Sequence, residues 1–182
     1  IVGNVFFIAM DDTQTYKLDA NPINGLSQKA WIKAELDSPE AKSAAARIVY
    51  GHVPLYSVLN KTKHAGKYEE VLSKEQYGVK NPGSLEEILI NGNVTLTVFA
   101  HSHSFYPGVV SHKGAARAQP MLFSPCMGPG SRYLNGNNSS RSPEGYSIID
   151  VAANGKISYS TYNYKGEVLD SKKLPSQLTS NN

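Results

Sequence analysis

Cysteine is nearly absent from this 182-residue chain. Its single thiol, Cys126, excludes an intrachain disulfide framework and any cysteine-based zinc finger. Charge is sparse as well. Asp, Glu, Lys and Arg make up 18% of the residues, below the roughly 25% of ordinary soluble domains. Eighteen basic residues against 15 acidic ones leave a formal charge of +3, and no Lys/Arg run sharpens that excess into a nucleic-acid signal. No apolar run approaches the ~18 residues of a membrane-spanning helix. The chain opens on Ile1-Val2-Gly3, without a Met or a signal-peptide pattern, and is expected to be a processed or trimmed piece. What is present, 40% hydrophobic residues, is ample for one core.

The apolar run Val5–Met10 ends in Asp11-Asp12 and predicts a strand buried on both faces. Ser27 is placed to cap a helix running to about Leu36, and Ser38-Pro39 to start another. Ile48-Val49-Tyr50 predicts a second strand, stopped by Gly51-His52-Val53-Pro54. The Lys-rich loop from Asn60 to Lys67, His64 included, reads as solvated surface. Ser84-Leu85-Glu86-Glu87 is a capping box, Gly92 closes its helix, and Val94–Ala100 predicts a third strand. Residues 104–145 hold Pro107, Pro120, Pro125, Pro129 and Pro143 and show no sustained periodicity, so they read as a long loop, functional or disordered. Tyr146–Val151, an Asn154-Gly155 turn, Lys156–Tyr164 and Glu167–Asp170 predict an antiparallel meander. The order of elements implies an α/β fold, parallel first and hairpins last.

Two of the three apolar strands end in histidine, where open α/β sheets collect their ligands. On an extended backbone, residues i and i+2 share a face, so His101 and His103 address one site, and His52 ends the other strand. Imidazole is the commonest metal ligand. Other His-x-His chemistries fail. A metallo-β-lactamase pattern needs Asp-His next, but Ser104-Phe105 follow; a cupin needs a nearby Glu, and the next is Glu144; too few residues remain for an amidohydrolase barrel.

Four stretches resemble the calcineurin-like metallophosphoesterases, the superfamily that includes the purple acid phosphatases. Gln28–Leu36 (QKAWIKAEL) and Arg47–Tyr56 (RIVYGHVPLY) look like that family's helix and Gly-His-x-Pro strand end. Thr95–His103 (TLTVFAHSH) resembles its Gly-His-x-His motif with Ala100 in place of the Gly, and Ser147–Asp170 resembles its closing strands. The resemblance implies part of an α/β/β/α sandwich, a mixed sheet with C-terminal antiparallel strands. Residues 1–173 would form the C-terminal portion of the domain and 174–182 a polar tail.

It further implies that His52 and His101 bind one ion of a dinuclear pair and His103 the other, the two being divalent or trivalent ions of the Fe, Mn or Zn class. The implied activity is two-metal hydrolysis of phosphate mono- or diesters. The family's Asp-x-His, Gly-Asp and Gly-Asn-His motifs occur nowhere in the chain. Two close cations need carboxylates to offset their repulsion, and three neutral imidazoles do not supply them. The expected partner is therefore an N-terminal half, missing or on another chain, that carries the remaining ligands. No catalytic residue is assigned to this chain. Asp11 and Asp12, at the end of the first strand, are the replacement carboxylates to test. His112, Arg117, Arg132 and Arg141 are candidate contacts for a phosphorylated small molecule or phosphodiester. Two alternatives stay open: a non-catalytic binding module that keeps the fold, and a single zinc on His52, His101 and His103. The sequence leaves the compartment open; an extracytoplasmic one is compatible with it.

Overall fold

The computed structural model describes residues 1–12, 18, 22–68, 71–72, 76, 83–112, 118–128, 130–136, 140–170 and 174–180. Its main sheet has six strands in the order β1-β2-β3-β5-β4-β8: β1 Val5–Ala9, β2 Ala46–Tyr50, β3 Leu96–Phe99, β4 Tyr106–His112, β5 Gln119–Phe123 and β8 Gln177–Ser180. Strands β1, β2, β3 and β5 run parallel, β4 is antiparallel to β5, and β8 is parallel to β4. A separate ribbon pairs β6 Tyr146–Val151 with β7 Ile157–Tyr162. The helices are α1 Gln28–Asp37, α2 Pro39–Ser43, α3 Ala65–Tyr68 and α4 Leu85–Asn91. Among the described residues, no helix is long and apolar enough to cross a membrane.

Strand alternation sorts the core into two layers. Phe6, Ile8, Val49, Phe99, Met121 and Phe123 face the helices and pack with Ile32, Leu36, Leu85 and Leu89. Val5, Ala46, Ile48, Leu96 and Leu122 face the ribbon and meet Ile149, Val151, Ile157 and Tyr159. The result is a helix layer, a sheet and a second sheet layer, the mixed α/β architecture expected. The helix starts fall where the side chains dictate: Ser27, Ser38 and Ser84 each accept a hydrogen bond from the backbone N–H three residues on. Gly92 caps α4 for a reason of space, since a Cβ there would lie 2.6 Å from Leu36 Cδ1.

Four expectations change. First, β1 is an edge strand, and Phe7 on its ribbon face is 41% exposed, so it is not buried on both faces. Second, the stretch 104–145 contributes β4 and β5, the strands that extend the sheet beyond β3. Gly108 permits this: a Cβ there would strike the Tyr106 ring, which folds back so that its hydroxyl donates to the Pro175 carbonyl at 2.9 Å. Third, the polar stretch 174–182 contributes β8, whose Leu178 is buried. Fourth, Glu167–Asp170 forms no third strand but a single bridge, Tyr162 to Val168.

Candidate functional site

The carboxyl ends of β2 and β3 lie side by side, with Tyr50 opposite Val98. Past the strands the ladder continues briefly. Gly51 N–H donates to the Val98 carbonyl at 3.1 Å, and Ala100 N–H donates to the His52 carbonyl at 3.2 Å. The two strands thereby deliver their histidines to one point. His101 Nδ1 lies 3.0 Å from His52 Nε2, with the rings edge to face at 75°. As a direct hydrogen bond, a contact of that length has a proton on one nitrogen and a lone pair on the other; as two ligands of one ion, both nitrogens present lone pairs.

Asp12 builds this arrangement from below. The buried Gln28 side chain accepts from Asp11 N–H at 2.7 Å and donates to the Asp11 and Leu18 carbonyls, which fixes the chain leaving β1. The next residue, Asp12, is fully buried, and its two carboxylate oxygens accept from His52 N–H and Val53 N–H at 3.0 Å each. Burial pushes its carboxyl above the usual range, while these two backbone bonds and the neighbouring His52 pull the other way. Gly51 is obligatory beside it, because a Cβ would overlap Asp12 Oδ2. Asp12 is thus a clamp on the His52 turn and not a substitute ligand. An Asp closing an apolar strand, with Gly-His closing the next, was the signal for it.

The backbone of the His pair is not extended. β3 ends at Phe99, and His101 and His103 both adopt left-handed conformations, with φ of 47° and 48°. The shared face expected from i, i+2 spacing is therefore not formed. His103 turns toward Gly130, where a Cβ would sit 3.5 Å from His103 Nδ1, a buried nitrogen with no hydrogen-bond partner among the described residues. Ala100 is tolerated in place of glycine because the positive φ values fall on the histidines.

These residues fit a metal only in part. Zinc–nitrogen bonds of about 2.0–2.1 Å allow two nitrogens of one ion to stand about 3 Å apart, as those of His52 and His101 do. Among the described residues, however, no three His, Cys, Asp or Glu side chains converge to hold an ion. The three-histidine zinc shell is not formed, and Asp12 spends both oxygens on backbone. The described residues do not by themselves hold a dinuclear centre.

A basic loop flanks the pair. Arg132 N–H donates to the His103 carbonyl at 2.9 Å and its guanidinium to the His101 carbonyl at 3.4 Å. Arg141 lies over the Tyr133 ring, 5.3 Å from its centroid. His112 ends β4, which runs against β5, so its backbone stands at the opposite end of the sheet from His52 and His101. Arg117 lies outside the described residues. His64, expected in solvent, is instead half-buried, and its Nε2 accepts from Tyr133 N–H at 2.8 Å. Sequence reasoning passed over this contact, which depends on the distant pairing of Leu59 with Leu134. A groove of about 420 Å³ between α1 and α4, lined by Lys33, Leu36, Glu87 and Ile88, contains none of the candidate site residues.

Burial, then the charges of Arg132 and Arg141, holds the His64 imidazole below its ordinary value of 6.5. The unfolded chain then takes up the proton first as pH falls, so stability drops from pH 6.5 down to the folded-state value. His64→Gln, which keeps an acceptor, is expected to flatten that part of the slope in urea melts taken between pH 7.5 and pH 5.

No family model matches the sequence, and no curated protein matches it. Solved structures share the fold, two proteins among them. One is GAP50, the anchor in the inner membrane complex of Plasmodium; it is 24% identical, with 96% of this chain and 51% of that chain covered and a TM-score of 0.53. The other is PPD1, a purple acid phosphatase from yellow lupin (Lupinus luteus) seeds; it is 14% identical, with 92% and 30% covered and a TM-score of 0.53. The chain spans about half the length of the first and under a third of the second. At these identities the likeness is one of fold, a distant metallophosphoesterase-like one.

Proposed function

We propose that this chain carries the histidine side of a phosphate-ester hydrolase site, with His52 and His101 as its contributed groups. The observation that carries this reading is their meeting at 3.0 Å from adjacent parallel strand ends. Asp12 holds His52 by accepting from its backbone N–H, and Arg132 holds His101 by donating to its carbonyl. The carboxylates that a pair of Fe-, Mn- or Zn-class ions requires would come from a segment or chain other than this one. Substrates of the class are phosphate mono- or diesters, and the fold shared with a purple acid phosphatase supports that class.

Cobalt(II) is the probe. The chain is expected to bind about one equivalent, with the visible absorption of a nitrogen-ligated ion, and to lose at least tenfold in affinity in both His52→Ala and His101→Ala. A chain that binds no cobalt, or whose His52→Ala and His101→Ala variants bind it as tightly as the unaltered chain, overturns the reading. That result would favour the second one, a non-catalytic module that keeps the fold. The commitment of both Asp12 oxygens to backbone favours this second reading, and one structural neighbour is described as an anchor.

A further inference from the structure

A second cluster of cations lies beside the histidine pair, built by an identifiable piece of backbone. Asn60 starts a turn in which its Oδ1 accepts from Lys63 N–H at 3.0 Å and its carbonyl accepts from His64 N–H at 3.0 Å. A bridge between Leu59 and Leu134, with Asn60 N–H donating to the Tyr133 carbonyl and Asn135 N–H to the Val58 carbonyl, fastens this turn to the segment 132–135. The turn thereby brings Lys63 Nζ to 5.6 Å from the Tyr133 ring centroid and the His64 ring to 5.7 Å. From the other side, Ser142 N–H donates to the Arg132 carbonyl, and the Arg141 guanidinium donates to the Ser131 carbonyl. Lys63, His64 and Arg141 thus lie against one aromatic ring, with Arg132 near enough to His64 to act on it through its charge.

Like charges gathered this closely repel one another; burial is the main reason the His64 imidazole is held below its ordinary range, and the charges of Arg132 and Arg141 add to it. Among the described residues, Lys63 and Arg141 form no ion pair with a carboxylate; the described ion pairs gather at Asp37, far along the chain. Tyr133 offsets part of the repulsion through its ring face, and an anion would offset the rest. Guanidinium groups present paired N–H donors that match phosphoryl oxygens, and Lys63 adds a point charge. The cluster adjoins the His pair through the bond from the Arg132 guanidinium to the His101 carbonyl.

We infer that Lys63 and Arg141, set against Tyr133, form with the neighbouring Arg132 an anion site for a phosphoryl group, separate from the His52–His101 pair. Where that phosphoryl group belongs to the ester being hydrolysed, the inference rests on the function proposed above; the anion site itself does not. It gives the substrate class a second feature, an anionic group beyond the one at the histidines, and leaves the Tyr133 ring to lie along an attached organic part.

The test is calorimetric titration in EDTA, which removes any metal, using inorganic phosphate and phenyl phosphate on the full chain. Lys63 and Arg141 are exposed, so the Lys63→Gln/Arg141→Gln double variant keeps the fold. Lys156→Gln/Lys165→Gln is the control, matched to it in net charge. The double variant is expected to weaken both probes about tenfold, the control less than twofold, and His52→Ala less than threefold. The tighter of the two probes identifies the ligand as ester or free ion. Absence of binding in EDTA, or equal weakening in the double variant and its control, overturns the site. Loss of cobalt binding without loss of phosphate binding would strike the hydrolase reading alone.

Discussion

Replacing Asp12 by alanine is expected to destabilise the fold by about 2–4 kcal/mol. The carboxylate accepts from two backbone donors, His52 N–H and Val53 N–H, in a place that water does not reach. Removing it leaves both without partners, at about 1–3 kcal/mol for each buried unsatisfied group. Burial of the charge already opposes the two bonds, as the raised carboxyl shows, so the net loss falls below the sum. Asp12→Asn keeps one acceptor and should lie between the two. Urea unfolding monitored through the single Trp31 measures the difference. A loss under 1 kcal/mol in Asp12→Ala would show that the turn after β2 does not depend on its carboxylate. The geometric consequence is larger than the energetic one, because the same turn aims His52 at His101.

Gly155→Ala should be comparably damaging through backbone alone. Gly155 has φ of +81°, and a Cβ there would fall 2.0 Å from the Ala45 carbonyl oxygen. The left-handed conformation costs a residue with a Cβ roughly 1–2 kcal/mol, and forced overpacking adds about 1–3. A destabilisation of about 2–5 kcal/mol follows, or roughly 2–4 °C in Tm for each kcal/mol in a chain of this size. The turn between β6 and β7 rests directly on the residue before β2, tied there also by Asn4 Nδ2 donating to the Ala153 carbonyl at 2.8 Å. The variant should therefore lift the ribbon from the sheet, and amide exchange should rise at Ile149 and Val151, which bury the ribbon's inner face. Unchanged exchange and Tm would mean that the ribbon docks without this approach.

The parts of the fold that were legible are those settled by nearest neighbours in sequence. Ser27, Ser38 and Ser84 each cap the helix they precede, and Asn154-Gly155 makes the hairpin it signals. Strands β1, β2 and β3 announce themselves as short apolar runs. Strands β4, β5 and β8 do not, because Pro107, Gly108 and Pro120 are poor strand formers. Their places are set by partners far along the chain: Met121 lies opposite Thr97, and Thr179 opposite Ser111.

The site divides the same way. That His52 and His101 end neighbouring strands was readable from the order of elements. That His103 turns away was not, since it depends on left-handed φ at both histidines and on the approach of Gly130. The Asn60 turn that carries Lys63 and His64 to Tyr133 depends on a bridge between residues 59 and 134, and no local pattern announces it.

The left-handed backbone at His101 and His103 bears on how this loop trades stability for chemistry. Glycine would occupy φ of 47° or 48° more comfortably than any residue with a Cβ. Each histidine is therefore held against its own backbone preference, at a cost on the order of 1 kcal/mol. Glycine at either position would relieve that strain, so the stability gained in His101→Gly or His103→Gly measures what the loop forgoes by carrying an imidazole there.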